Sequence, residues 1–185
     1  MSSCMHLTSG ICRPCASQTG GLKYIFIADA SAVDWDSITY NTDGAITNIT
    51  LEDDEKWYML QPNLFSSSFT ENIQVDITNA TRFYEVELNC VFGQMDQSMI
   101  NVINEMAKGE LVILAVDAND TMVFVGEKGN SAYVGSGNFS TGTQRGDLNG
   151  ATVVFNASLH NAAPTVVPEV GGYFAADIAS AEAAC

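Results

Sequence analysis

The chain has 185 residues, 46% of them hydrophobic, with 22 acidic residues against seven basic ones and a formal net charge of −15. That length suits one domain with a substantial core, and the apolar supply is ordinary for a globular protein. The charge leaves no basic patch to grip phosphate, which excludes high-affinity or sequence-specific nucleic-acid binding; a surface this acidic repels a polyanion.

Residues 1–21 read as an irregular N-terminal arm rich in Ser, Thr and Gly, holding Cys4, Cys12 and Cys15. Cys12-Arg13-Pro14-Cys15 is a C-x-x-C pair that could pinch one Zn²⁺, with Cys4 or His6 completing a tetrahedron. A closed zinc site normally shows a second pair, and none follows. The redox use of such a pair needs a helix N-terminus after a strand, whereas this one precedes a strand. Free or paired thiols in a structural arm, possible metal ligation and redox chemistry all stay open, as does an arm that reaches a neighbouring subunit. Five cysteines, an odd number, and no basic-then-apolar leader argue against a secreted disulfide scaffold.

A domain over residues 22–163 follows. Gly20-Gly21 opens a strand from Leu22 to Ala28, and Asp29 to Asp36 reads as a turn-rich link. Asp43-Gly44 between two β-prone runs, Ile38–Tyr40 and Ile46–Leu51, signals a hairpin. The acidic run Glu52-Asp53-Asp54-Glu55 lacks the spaced ligands and glycine of a calcium loop, so it reads as a solvated turn. Lys56–Leu60 is a short strand closed by Pro62.

The stretch from Phe69 to Val125 carries the strongest pattern. Phe69, Ile73, Val75 and Ile77 alternate with Thr70, Asn72, Gln74 and Asp76. Past a turn at Asn79-Ala80-Thr81, Tyr84, Val86, Leu88, Cys90 and Phe92 alternate with Glu85, Glu87 and Asn89. The period of two predicts a long hairpin with one buried apolar side and one wet, mostly acidic side. A helix over 96–108 follows, with Met95, Met99, Val102, Ile103 and Met106 as its stripe, Asp96 as N-cap and Gly109 at a left-handed C′ position. Leu111–Val116 is continuously apolar, hence covered on both faces. Ala118-Asn119-Asp120 turns it into Thr121–Val125.

Residues 126–150, rich in Gly, Ser, Asn and Thr, read as a long loop, a usual place for an interaction element. Its Arg145-Gly146-Asp147 resembles an adhesion tripeptide, but Asp147-Leu148-Asn149-Gly150 is ordinary turn chemistry before a strand at Thr152–Leu159. Residues 164–185 form a tail, Pro/Gly-punctuated and then Ala-rich, fit for a short helix or for meeting a partner.

The signatures of catalysis are missing. His6 and His160 are the two histidines, neither in a triad or H-E-x-x-H context, and no nucleophile elbow, phosphate loop or dinucleotide fingerprint occurs. No enzyme activity and no cofactor are expected. No apolar run reaches the roughly 18 residues of a membrane span, so no membrane insertion is expected.

Three stretches together carry a resemblance: Thr19-Gly20-Gly21-Leu22-Lys23-Tyr24-Ile25; Ser68-Phe69-Thr70-Glu71-Asn72-Ile73 with Thr81–Leu88; and Gly146-Asp147-Leu148-Asn149-Gly150. In this order, over residues 19–165, they resemble virion structural proteins of tailed phages, especially those of Bacteroidota hosts, and among these a tail tube protein. The resemblance implies a mainly β subunit with one α-helix, a β-sandwich or β-barrel that lends strands to a ring-shaped barrel. Six copies would form a ring, stacked rings a tube in the virion, assembled in the host cytoplasm. Other tail proteins such as the terminator, baseplate or tape measure would be partners, and DNA would pass without sticking. Glu71, Asp76, Glu85 and Glu87 are then candidates for the lumen wall, although Glu71 shares parity with Phe69 and Ile73 and needs a bulge or an early strand end to stay wet. Asn138, Phe139, Arg145 and Asp147 are candidates for ring-to-ring contacts. A terminator, neck or head-decoration protein is the nearer alternative. A carbohydrate-binding module using Trp35, Trp57 and Tyr58 is the more distant one.

Overall fold

The computed structural model describes residues 11, 17–52, 55–167 and 173–184. The chain is mainly β, and its strands form two sheets. In sequence order the elements are β1 (Leu22–Asp29), β2 (Val33–Tyr40), β3 (Ile46–Leu51), β4 (Tyr58–Leu60), β5 (Ser68–Asp76) and β6 (Thr81–Gly93), then α1 (Gln97–Met106), β7 (Leu111–Asp117), β8 (Met122–Val125), β9 (Tyr133–Ser140), β10 (Gly150–Leu159), β11 (Thr165–Val166) and α2 (Tyr173–Ala184). Sheet A has seven strands in the order β2-β3-β11-β8-β7-β1-β4, and sheet B four in the order β5-β6-β10-β9.

The two sheets share one core. Ile25 and Ile27 of β1 and Ile113 and Ala115 of β7 meet Leu88 and Cys90 of β6 and Val153 and Phe155 of β10. The opposite face of sheet A holds a second core, with Phe26, Ile46, Trp57, Val112, Leu114 and Phe124 packed with Ile178 and Ala181 of α2. Strand β7 therefore has a core on each side, the physical reason its expected unbroken apolar run is buried from Leu111 to Val116. Helix α2 touches β3 and β4, which lie near opposite flanks of sheet A, so it spans the second core from side to side.

Several expectations hold locally. Asp96 caps α1, its Oδ1 accepting from Met99 N at 2.7 Å. The β7–β8 turn forms at Asn119-Asp120, where Asp117 Oδ1 accepts from Asn119 N and Thr121 N. Others need correction. The Asp29–Asp36 link is a single 3₁₀ turn, Ala30–Ala32, after which β2 begins at Val33. Gly109 is not left-handed; α1 closes through Ala107 in right-handed geometry, whose N–H donates to Ile103 O. Among the described residues there are two helices rather than one, and the segment read as a tail supplies both β11, hydrogen-bonded between β3 and β8, and α2. The long loop at 126–150 is not one: it contains β9, paired along β10. Among the described residues no closed barrel forms within the single chain.

Candidate functional site: the outer face and edges of sheet B

Sheet B turns one face to the shared core and the other away from it. The register lays the outer residues out in rows: Asn72 opposite Glu85, Thr70 opposite Glu87 and Ser68 opposite Asn89, continuing to Ser158, Asn156 and Val154 on β10 and to Tyr133, Ser136 and Asn138 on β9. Glu85 and Glu87 are exposed here, as the alternation predicts. Gln74 Nε2 donates to Glu85 Oε2 at 3.0 Å. Among the described residues no Lys or Arg sits on this face; the side chains are Ser, Thr, Asn and Gln with two carboxylates, two aromatic rings (Tyr133 and Phe83) and two half-buried valines. The face is thus wet and negative, but mostly neutral-polar rather than mostly acidic.

Asp76 lies at the far end of β5. Its carboxylate accepts from Thr78 N and Asn79 N and from Asn79 Nδ2, closing the hairpin turn. Those bonds, from the Asn79 backbone above all, hold its pKa below the usual carboxylate range. It is a charge at the hairpin tip, in phase with the outer face but beyond the part of the sheet that β10 extends.

Glu71 is a correction. The β5–β6 ladder runs without a bulge from Ser68–Asn89 to Asp76–Thr81, so Glu71 stays on the inner side, opposite Val86. It is half-buried, and its Oε1 accepts from Ala163 N at 2.9 Å. A carboxylate on the core side is tolerated because it satisfies a backbone donor of the β10–β11 connection. It cannot share a wall with Glu85 and Glu87.

The hairpin also departs from the expected buried apolar side. Strand β10 ends opposite Tyr84, so beyond that point β5 and β6 continue as a two-stranded arm with no third strand beside them among the described residues. Ile73 is 63% exposed, Val75 62% and Ile77 90%. Ile73 and Val75 keep the inward parity and Ile77 lies in the turn beyond it, but no described residue covers this side enough to bury them. Large exposed apolar side chains in a row mark a contact surface.

Among the described residues both edges of sheet B are open. Strand β5 forms one and β9 the other. Asn138 and Phe139 lie on β9, with Phe139 43% exposed at the edge. Arg145 and Asp147 lie in the loop that joins β9 to β10. There Asp147 Oδ2 accepts from Thr143 N, Gln144 N and Thr143 Oγ1, which lowers its pKa and ties the carboxylate into its own loop. Its adhesion-like tripeptide is turn chemistry. The four ring-contact candidates therefore split between an edge strand and a self-closed loop.

One anchoring group was not legible. Glu127 Oε2 accepts from His160 N at 2.9 Å and faces His160 Nδ1 at 3.1 Å, while Oε1 accepts from Asn161 N at 2.9 Å. Burial opposes ionisation, but these donors outweigh it and hold Glu127 below its ordinary pKa. It ties the start of the β8–β9 connection to the end of β10 across 33 residues of sequence, a separation no local motif announces.

Cys4, Cys12 and Cys15 lie outside the described residues, as does His6. Among the described residues no group of three His, Cys, Asp or Glu side chains could hold a metal. Trp57 is 2% exposed inside the second core, which removes it from any aromatic platform. No helix among the described residues is long and apolar enough to cross a membrane. Comparison with protein-family models, curated proteins and solved structures finds no match.

Proposed function

We propose that this chain is a tail tube subunit of a bacteriophage virion, whose copies close side by side into rings and stack into a conduit for DNA. The observation that carries the reading is sheet B: among the described residues, a four-stranded sheet with two open edges and an outer face without a single Lys or Arg. Three antiparallel pairings separate β5 from β9, so the two edges run antiparallel to each other. Repeating the chain around an axis would set β9 of one copy against β5 of the next and continue the same ladder, leaving no edge free once the ring closes.

In that arrangement the outer face of sheet B faces the channel. Glu85 and Glu87 repel phosphate, and the neutral amides and hydroxyls around them offer no counter-charge that would trap it. The conduit works by not binding; no bond is made or broken and no cofactor is required. Terminator, baseplate and tape-measure proteins belong to the same proposal as partners, and the virion as its location. Negative-stain microscopy of the purified protein at high concentration tests it. Tubes with a stain-filled centre are the expected result. Rings that never stack would instead favour a terminator or neck protein, and a monomer at every concentration would overturn the reading.

A further inference from the structure

Resting on that assembly, we infer that the β5–β6 arm of one copy seats in a groove between α1 and the rim of β4 and β6 on a copy stacked above or below it. Two unfilled apolar features lead there. One is the arm, with Ile73 and Val75 bare along one side and Ile77 90% exposed in the turn at its tip. The other is a groove of about 340 Å³ lined by Leu60, Phe92, Met99, Val102 and Ile103, with Asp96 at its margin. The apolar stripe of α1 is only partly spent on its own core: Ile103 and Met106 are buried, Met99 is half-buried and Val102 remains 37% exposed.

The two features lie at opposite ends of the same strand. Strand β6 starts at the arm, at Thr81, and ends at the groove, at Gly93. At roughly 3.3 Å per residue its 13 residues hold them about 40 Å apart, so no chain can fill its own groove. A second copy can, and it then presents its own arm in the same direction. Such a contact is heterologous and does not close on itself; repeated, it extends a stack.

Charge supports the same seat. Arg82 stands opposite Val75 on the bare side of the arm. Among the described residues it has no carboxylate partner, only the Tyr84 ring with its guanidinium carbon 5.9 Å from the centroid. At the groove, Asp96 spends one carboxylate oxygen on its helix cap and keeps acceptor capacity on the other. In a chain with so few cations, an unpaired Arg beside an apolar row fits a contact with an acidic-edged groove. One arm covers far less than the roughly 1,600 Å² of a standard interface, so the contact suits a ring in which several arms engage at once.

The test compares wild-type protein with Ile77→Glu and with Val102→Glu, both at exposed positions, after thermal melts establish that each variant is folded. Each is expected to form rings but to raise the concentration needed for tubes by roughly tenfold or more, since a carboxylate must enter an apolar seat. A photo-crosslinking residue at position 77 should form its adduct in the 92–106 peptide of another copy. Tubes forming at the wild-type concentration in both variants, or an adduct mapped elsewhere, would overturn this seat and leave the channel reading standing. Failure of the wild-type protein to assemble at all would overturn both.

Discussion

Replacing Glu127 by Ala isolates the tie between the start of the β8–β9 connection and the end of β10. The side chain is 23% exposed and accepts two backbone N–H bonds, from His160 and Asn161, besides facing the His160 ring. A hydrogen bond to a charged acceptor contributes about 1.5–3 kcal/mol, but the connecting segment is solvent-accessible and its freed donors rehydrate, so about 1 kcal/mol each is the better figure. The expected loss is about 2 kcal/mol, which for a chain of this size lowers Tm by about 4–8 °C. The pH dependence follows from the depressed pKa of Glu127 in the fold. A depressed carboxylate stabilises fully above its unfolded pKa of about 4.3, and the contribution is lost as pH falls through the lower folded value. Melting curves followed by circular dichroism should therefore show a gap between wild type and Glu127→Ala at pH 7 that closes towards pH 3. Glu127→Gln, which keeps an acceptor oxygen without titrating, should show a smaller gap at pH 7. Equal Tm values at pH 7, or a gap of the same size at both pH values, would refute the role given to these bonds.

The remaining predictions address the face, the core and the thiol. Replacing Glu85 and Glu87 together by Lys changes two negative charges per copy into two positive ones. Tubes should still form but should retain DNA at low salt, with each phosphate contact adding about 0.7–0.9 to the slope of log affinity against log salt, and ejection should slow. Unchanged ejection and no retention by sedimentation would count against the channel face. Leu88, fully buried between the sheets, should lose about 2–5 kcal/mol on truncation to Ala, read as a lower urea midpoint at unchanged m-value. The Cys90 thiol, buried and pushed up to about 12 by that burial, should resist a water-soluble thiol reagent in the native state and react on unfolding, as mapped by peptide mass spectrometry. Labelling of Cys90 in native protein would show that the core opens more readily than its packing implies.

Much of the architecture was legible because local patterns carried it. The period-two alternation through Val86, Leu88, Cys90 and Phe92 marked the inner face of β6, the unbroken run Leu111–Val116 marked a doubly covered strand, and Asp96 marked the start of α1. Each depends on a few neighbouring residues and on the backbone geometry they select. What resisted reading depends on residues far away in sequence. Strand β9 hides in a glycine-rich stretch with weak intrinsic preference for strand, and it exists because β10 supplies a ladder for it. Glu71 falls inside or outside according to whether the ladder bulges, and Ala163 N, 92 residues on, provides the partner that keeps it in. Ile73, Val75 and Ile77 carry the same alternation as the core residues of β6 yet stay bare. Periodicity chooses the side a residue faces; whether anything stands on that side is decided by where β10 stops and where the second sheet ends.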